Sequence, residues 1–361
     1  MERYFQLSKK IVRLQKHKWF YVCLKPYRRL RFILNYVQKY SDGQVDKNID
    51  DIISKSLSSK ERRSIYLDII YANFKCSASI SDYFNYEFFK KTGMERKEFI
   101  TEEHSRWLWF AFNDEKYRTI LGEKFYTYDN LHEYFRRDFL FINKDVNQQT
   151  FLEFCYKHQE IFIKPSNSSW GRGARRIKIN QGVNLDDLYH ECLEKQMIIE
   201  EVIVQHPKLA AFHPASVNTI RINTVITKKG PKIMSAVFRM GNCGSIVDNN
   251  HGGGIFAAIC LQSGIISTPG IDKFHKRYVE HPVSNLQIVG FQIPNWEEMK
   301  AFAIEMALVV RQKRCIGWDI RLSETPQCIL VEANTMPGFI LQQAADQIGK
   351  LSLYEEALKD Y

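Results

Sequence analysis

The sequence predicts an α+β fold with a helical N-terminal region, and three observations predict it. Before about residue 158, apolar residues recur mostly at helical spacing. From Glu160 onward, short apolar or alternating runs bounded by polar, Gly-containing turns take over. Near the end, Gly317 to Gly338 reads as two strands joined by a short polar turn. Acidic residues stand on the first strand and at the close of the second.

The chain has 361 residues, 45% hydrophobic and 25% charged. That suits an ordinary globular protein of two or three domains or subdomains. It contains no apolar run of about 18 residues, so no membrane-spanning helix is expected. The N-terminus has no apolar stretch followed by a small-residue cleavage site, so a cytoplasmic protein is expected. Eight cysteines (Cys23, Cys76, Cys155, Cys192, Cys243, Cys260, Cys315 and Cys328) show no CxxC spacing. Free thiols fit this pattern better than disulfides or a zinc site. The net charge of +10 is concentrated in residues 1–40. There Arg3, Lys9, Lys10, Arg13, Lys16, Lys18, Lys25, Arg28, Arg29, Arg31 and Lys39 face Glu2 alone, so the remainder of the chain is neutral.

Residues 1–40 combine this charge with Trp19, Phe20, Leu30, Phe32 and Leu34 and read as a basic, aromatic helical segment. Three uses stay open: docking on the body of the protein, lying on an anionic membrane surface, or touching nucleic acid. The aromatics follow no RNA-binding motif. Residues 41–60 read as a linker with a short helix. Helical patterns follow from Lys60 to about Lys91, from Glu95 to Asn113, and again beyond Lys116. Phe139–Ile142 is a strand candidate and Thr150–His158 a helix. Strands are then expected at Ile161–Pro165, Arg176–Ile179, Met197–Val204, Thr219–Thr227, Lys232–Arg239 and Gly254–Leu261, with a helix at Leu185–Leu193. Trp296 to Cys315 reads as an amphipathic helix leading into the 317–338 hairpin, and the tail from Gln342 is helical.

Several stretches carry chemistry. Gly171, Arg172 and Gly173 lie in a polar loop between two strands, a form that can cover phosphate, and Lys164 sits on the preceding strand. A flexible hairpin is the plainer alternative. The loop is neither a P-loop nor a dinucleotide fingerprint, because no helix follows it. Glu200 and Glu201 end an apolar strand before Val202 and Ile203. A carboxylate there can accept from an adenine amino group, or simply be solvated. Arg221 and Arg239 place guanidiniums on successive strands, suited to carboxylate or phosphate. The loop Asp248, Asn249, Asn250, His251, Gly252, Gly253, Gly254 suggests a backbone that approaches a ligand or moves. The hairpin could bring Asp319, Glu332 and Asn334 to one side, an oxygen set that suits Mg²⁺. Equally, it could be an edge hairpin with solvated carboxylates.

The order of these features resembles that of ATP-grasp enzymes, in which an Asp precedes a Glu-x-Asn by about a dozen residues. More narrowly, the motifs beginning at His213, Val247 and Gly317, together with Asp82 to Tyr86, resemble the sugar-transfer-associated ATP-grasp branch, related to the teichuronopeptide type. The resemblance covers about residues 60–345. It implies an ATP-grasp fold of two α+β subdomains gripping ATP. The boundaries are a basic appendage (1–40), a helical region (41–112), a first subdomain with the flap (113–205), a second with the metal site (206–345) and a C-terminal helix (346–361).

The resemblance further implies roles. Lys164 would bind the α/β-phosphates, joined by Lys116 or, as second choice, Lys124. Gly171 to Gly173 would close over ATP. Glu200, with backbone near Val202 and Ile203, would meet adenine. Asp319, Glu332 and Asn334 would hold one or two Mg²⁺. Arg221, Arg239 and Arg321 would balance phosphate charge, and Asp248 to Gly253 would line the acceptor side. The sequence departs from better-known ligases in lacking a basic residue just before Asp319, so Arg321 or Arg239 must replace it. The implied activity is ATP-dependent carboxylate–amine ligation through an acyl phosphate, joining a uronic acid or related carboxylate to an amino acid or amine in surface polysaccharide synthesis. Alternatives are phosphoryl transfer to a sugar hydroxyl and a non-catalytic nucleotide-binding scaffold at the membrane. Residues 1–40 would hold the protein at the inner membrane face. Asp319→Asn is expected to abolish turnover with little loss of stability.

Overall fold

The computed structural model describes residues 14–121, 124–166, 173–179, 182–216, 218–242 and 253–360, with Arg118 and Thr119 as backbone only. Gly171, Arg172, Asp248, Asn249, His251 and Gly252 therefore lie outside the described residues, as does Cys243. The seven cysteines that are described are free thiols, as expected.

The N-terminal region is helical: α1 (Lys18–Cys23), α2 (Lys25–Ser41), α3 (Gln44–Ile52), α4 (Ser59–Cys76), α5 (Ile80–Asn85), α6 (Gly93–Lys97) and α7 (Glu102–Phe112). Reciprocal capping boxes start α4 (Ser58 with Glu61), α5 (Ser79 with Asp82) and α6 (Thr92 with Glu95). Each satisfies backbone N–H groups that the first helical turn leaves orphaned. Val45, Ile49, Ile69, Phe84, Phe88 and Phe99 form the core here, and α2 adds Phe32 and Tyr36 to it. The basic segment thus docks on the body. Among the described residues, no helix is long and apolar enough to cross a membrane.

Three short helices follow, α8 (Arg118–Leu121), α9 (Lys124–Asn130) and α10 (His132–Phe135). A four-stranded antiparallel sheet is then built from β1 (Phe139–Phe141), β2 (Glu160–Pro165), β3 (Arg175–Lys178) and β4 (Met197–Glu201), in the order β1-β4-β2-β3. Helices α11 (Gln148–His158) and α12 (Leu185–Glu194) cover one face through Phe151, Cys155 and Leu188 against Ile161, Ile163 and Ile199. Strand β4 stops at Glu201 rather than running on to Val204, because its partners on β1 and β2 end there.

After the single turn α13 (Pro207–Ala210), a seven-stranded antiparallel sheet is assembled. Its strands are β5 (Thr219–Thr227), β6 (Gly230–Met240), β7 (Ile255–Ala258), β8 (Gly270–Ile271), β9 (Arg277–Tyr278), β10 (Cys315–Leu322) and β11 (Cys328–Asn334), in the order β11-β10-β5-β6-β7-β8-β9. Helix α14 (Trp296–Val309) packs Met299, Phe302 and Met306 against Ile222, Trp318 and Ile320. This helix was expected to reach Cys315. It ends at Val309, and Cys315 instead opens β10, where all eight residues are buried. Tyr128, Leu131 and Phe135 of the preceding short helices join the same core. In packing, they go with the large sheet, although the sequence boundary at 113 groups them with the small one. The chain closes with α15 (Ile340–Asp346) and α16 (Leu351–Lys359).

One side chain joins the helical region to the hairpin. Asn113, buried at the end of α7, donates to the carbonyls of Cys315 and Thr335, both at 2.7 Å, and accepts from the Cys315 amide at 3.0 Å. It satisfies β10 where it begins and the chain just past β11. Asn113→Ala strands those three backbone groups, and we expect a stability loss of about 3 kcal/mol in urea denaturation. A loss below about 0.5 kcal/mol would show that the junction is held elsewhere.

Candidate active site

Strand β10 lies between β5 and β11. Asp319 is directly opposite Arg221 on β5 and Glu332 on β11, and Gly317 is opposite Asn334. Directly opposed residues share a face of the sheet, and so do residues two apart on one strand. Asp319, Arg321, Glu332, Asn334, Arg221 and Arg239 consequently share one face and line one cleft. The other face sends Trp318 and Ile320 into the core, where the Trp318 indole N–H donates to Thr224 Oγ1 at 2.8 Å.

The Asp319 carboxylate is nearly inaccessible and sits between two guanidiniums. Arg221 donates through Nε and, at 2.7 Å, through Nη2. Arg239 Nη1 reaches both carboxylate oxygens at 3.1 Å. Burial alone would raise the Asp319 pKa. Arg221 and Arg239 outweigh it and hold the group below the usual carboxylate range. The missing basic residue before Asp319 now has a physical reason. A Cβ on Gly317 would lie 2.8 Å from Asn223 Oδ1 and 3.0 Å from the Pro337 Cβ, so no side chain fits there. The guanidiniums arrive from β5 and β6 instead.

Across the cleft, the small sheet presents a second charged group. Lys164 Nζ is 2.7 Å from Glu200 Oε1, and Arg137 Nη2 is 3.1 Å from the same oxygen. Arg137 also donates to the carbonyls of Leu330, at 2.6 Å, and Phe135, at 3.2 Å. Burial pushes the Lys164 pKa down, with Arg137 adding to it, and pushes Glu200 up. Lys124 donates to the Pro165 carbonyl at 3.0 Å, and burial beside Lys164 lowers its pKa to about 8. Arg321 acts electrostatically on this cluster, through Glu200 and Lys164.

Two expectations change here. Lys116, the first choice for the second phosphate lysine, is exposed: it stands 3.8 Å from Asp114 and over the Tyr117 ring. Lys124 is the lysine that sits with Lys164. Glu200 was expected to accept from adenine, but its Oε1 is taken by Lys164 and Arg137. Glu201 is also tied, accepting from the Asp138 amide at 3.1 Å. Val202 and Ile203 line the cleft. Arg137 was missed. In sequence it stands in an ordinary charged run, Arg136-Arg137-Asp138, and only packing against β11 buries it.

Of the remaining residues, Gly173 adopts φ +74°, and an added Cβ would meet the Pro165 ring at 3.1 Å, so the base of the flap lies against the lysine strand. Gly253 adopts φ +92°. The motif beginning at His213 anchors the other loop. His213 Nδ1 is 3.0 Å from Ser216 Oγ, and Asn218 Oδ1 accepts from the Gly241 amide at 2.9 Å. Gly241 lies two residues before the 243–252 segment.

Both charged groups open on one cleft of about 1540 Å³, together with Val202–Val204 and Trp109. Three oxygen-bearing side chains from two neighbouring strands, on one sheet face, have the chemistry a hard divalent cation takes, and Lys164 in the same cleft suits a polyphosphate. These are the demands of a nucleoside triphosphate bound with Mg²⁺.

Residues 105–357 match the family model for sugar-transfer associated ATP-grasp proteins. The chain belongs to this family. By class it is an ATP-grasp protein. Among solved structures it is similar to the ATP-grasp ligase PsnB complexed with a phosphomimetic variant of a minimal precursor, Mg and ADP. That match is 11% identical with a TM-score of 0.44 and covers 71% of this chain and 66% of that one. It is similar also to D-alanyl-alanine synthetase A from Vibrio cholerae O1 biovar eltor (12%, TM-score 0.39, 70% and 67%). A third is the D-alanine-D-alanine ligase from Helicobacter pylori (13%, TM-score 0.41, 72% and 66%). The chain spans about two thirds of the length of these relatives. Curated protein sequences gave no match.

The arginine clamp corrects the stability expected of Asp319→Asn. Neutralising that carboxylate leaves two guanidiniums in a buried site without their counter-charge, and we expect a loss of about 3 kcal/mol in urea denaturation alongside the loss of turnover. An Asn variant as stable as wild type would contradict the clamp.

Proposed function

We propose that this protein ligates a carboxylate to an amine at the expense of ATP, with a uronic acid or related carboxylate and an amino acid or amine as substrates in capsular or other surface polysaccharide synthesis. The observation that carries this reading is the pairing, across one cleft, of the Asp319/Glu332/Asn334 sheet face with Lys164, beside which Lys124 is buried. The family's association with sugar transfer supports a glycan-linked substrate.

In this reading Lys164 and Lys124 bind the α/β-phosphates, and Glu200 with Arg137 holds Lys164 in place. The base lies against Val202 and Ile203, and Gly171 to Gly173 cover the nucleotide. Asp319, Glu332 and Asn334 hold Mg²⁺, which when bound supplies charge neutralisation at the β- and γ-phosphates. A substrate carboxylate oxygen attacks the γ-phosphorus in line, the bond to ADP breaks, and an acyl phosphate forms. Arg221, Arg239 and Arg321 offset the negative charge on the transferring group. The amine nitrogen then attacks the acyl carbon, inorganic phosphate leaves, and an amide remains. Asp248, Asn249, His251, Gly252 and Gly253 are assigned to acceptor recognition. The inner face of the cell membrane, where lipid-linked glycans are built, is the corresponding location.

Incubation with Mg-ATP and pools of uronic-acid nucleotide sugars and amino acids, followed by ADP and product mass, tests this. An amide product with free phosphate is expected. Phosphate retained on a sugar would mean hydroxyl phosphorylation, and no ADP with any pool would favour a binding scaffold. Lys164→Met should weaken nucleotide binding by about tenfold or more through the lost charge-assisted contact, whereas Lys116→Met should leave it unchanged. Equal effects of the two in calorimetric titration would refute the lysine assignment.

A further inference from the structure

Helix α2 is apolar on two opposite sides. Phe32 and Tyr36 point into the core. Tyr27, Leu30, Leu34 and Val37 are 57–64% exposed. Their spacing of three, four and three residues places them within an arc of about 80°, facing away from Phe32 and Tyr36. A helix that only docked would leave a polar outer face. This one carries a second apolar stripe.

The stripe continues onto α4. Leu67, Tyr71 and Phe74 are exposed there at spacings of four and three. The Arg29 guanidinium lies 4.7 Å over the Phe74 ring and donates to the Phe74 carbonyl at 3.0 Å. Tyr40 meets Tyr66 ring to ring at 5.1 Å. The outer surfaces of the two helices therefore adjoin. A contiguous apolar surface of this kind marks an interaction site rather than ordinary scatter.

Charge selects the partner. From Arg3 to Ser41 the sequence contains no Asp or Glu. Arg31 is exposed beside the stripe, and Lys16 and Lys25 are exposed before and at the N-terminal end of α2. A second copy of the chain would bring these cations against each other. Nucleic acid would meet the cations but offers nothing to bury Leu30, Leu34 and Val37. The boundary between anionic headgroups and acyl chains accepts both features, with Tyr and Trp rings at headgroup level. Lys39 and Gln44, where α2 passes into α3, line the cleft, so one end of α2 lies at the cleft.

We propose that the outward face of α2, continued by α4, binds the surface of an anionic bilayer and so presents the cleft to a lipid-linked substrate. The first half stands on this surface alone; the second rests on the ligase reading above.

The test is co-sedimentation of the full chain, without nucleotide, with vesicles of phosphatidylcholine alone or mixed with phosphatidylglycerol. Binding to the mixed vesicles only, weakening as salt rises, is expected. Leu30→Ser/Leu34→Ser should reduce binding by about tenfold or more, and Lys25→Gln/Arg31→Gln should reduce it with a shallower salt dependence. Both variants should keep the wild-type thermal unfolding profile and the same ADP formation, since none of these residues lies in the cleft. Wild-type protein that stays in the supernatant with both vesicles overturns the proposal. So does a Leu30→Ser/Leu34→Ser variant that binds as wild type does. Self-association abolished by that double variant, or binding to RNA but not vesicles, likewise overturns it in favour of those partners. Because binding is read without ATP, failure here leaves the ligase reading standing, and the absence of any amide product leaves vesicle binding standing.

Discussion

The Asp319 carboxylate, held between Arg221 and Arg239, is the contact on which the site is organised. It joins β10 to its neighbour β5 and to β6 beyond it, on the cleft side of the large sheet. The pleat then divides the labour on β10. Trp318 and Ile320 fasten the strand to α14, while Asp319 and Arg321 face the cleft. The buried charge of Asp319 is tolerated here because Arg221 and Arg239 lie within hydrogen-bond distance of it. The guanidiniums reach Asp319 from β5 and from β6 beyond it, and the space beside Gly317 is taken by Asn223 and Pro337.

Arg137 extends this organisation across the cleft. One of its nitrogens donates to Leu330 on β11 and another to Glu200 on β4. A single guanidinium thus bridges the two sheets behind the site, and through Glu200 it sets the position of Lys164. Burial works against a charge on Lys164 while Glu332 favours it. A lysine balanced in this way gains from an incoming phosphate, which supplies further negative charge without removing the ammonium from its place.

The helical region is more than an appendage to this core. Asn113 satisfies the start of β10, Trp109 donates to the Pro337 carbonyl at 2.9 Å, and Gln343 of α15 ties to Ile100 and Tyr86. These bonds place α5, α7 and the chain after β11 around one end of the cleft. The basic segment packs inward through Phe32 and Tyr36 and shows a separate apolar stripe outward.

By itself the sequence determined the α+β class, most strands, and the hairpin whose acidic residues share a face. Those follow from local periodicity, which chain neighbours carry. The family and the Asp319, Glu332, Asn334 set were legible through motif order. Tertiary structure decided what depends on distant strands. Lys124 rather than Lys116 stands beside Lys164, because α9 packs against the large-sheet core while Lys116 faces solvent. Arg137, in an unremarkable charged run, became a buried bridge. Strands β8 and β9, of two residues each, are too short to carry a period and exist only because β7 offers them an edge. The charges on Arg221 and Arg239 could be read from the sequence, but their convergence on Asp319 required the register of three strands, which no single stretch of sequence contains.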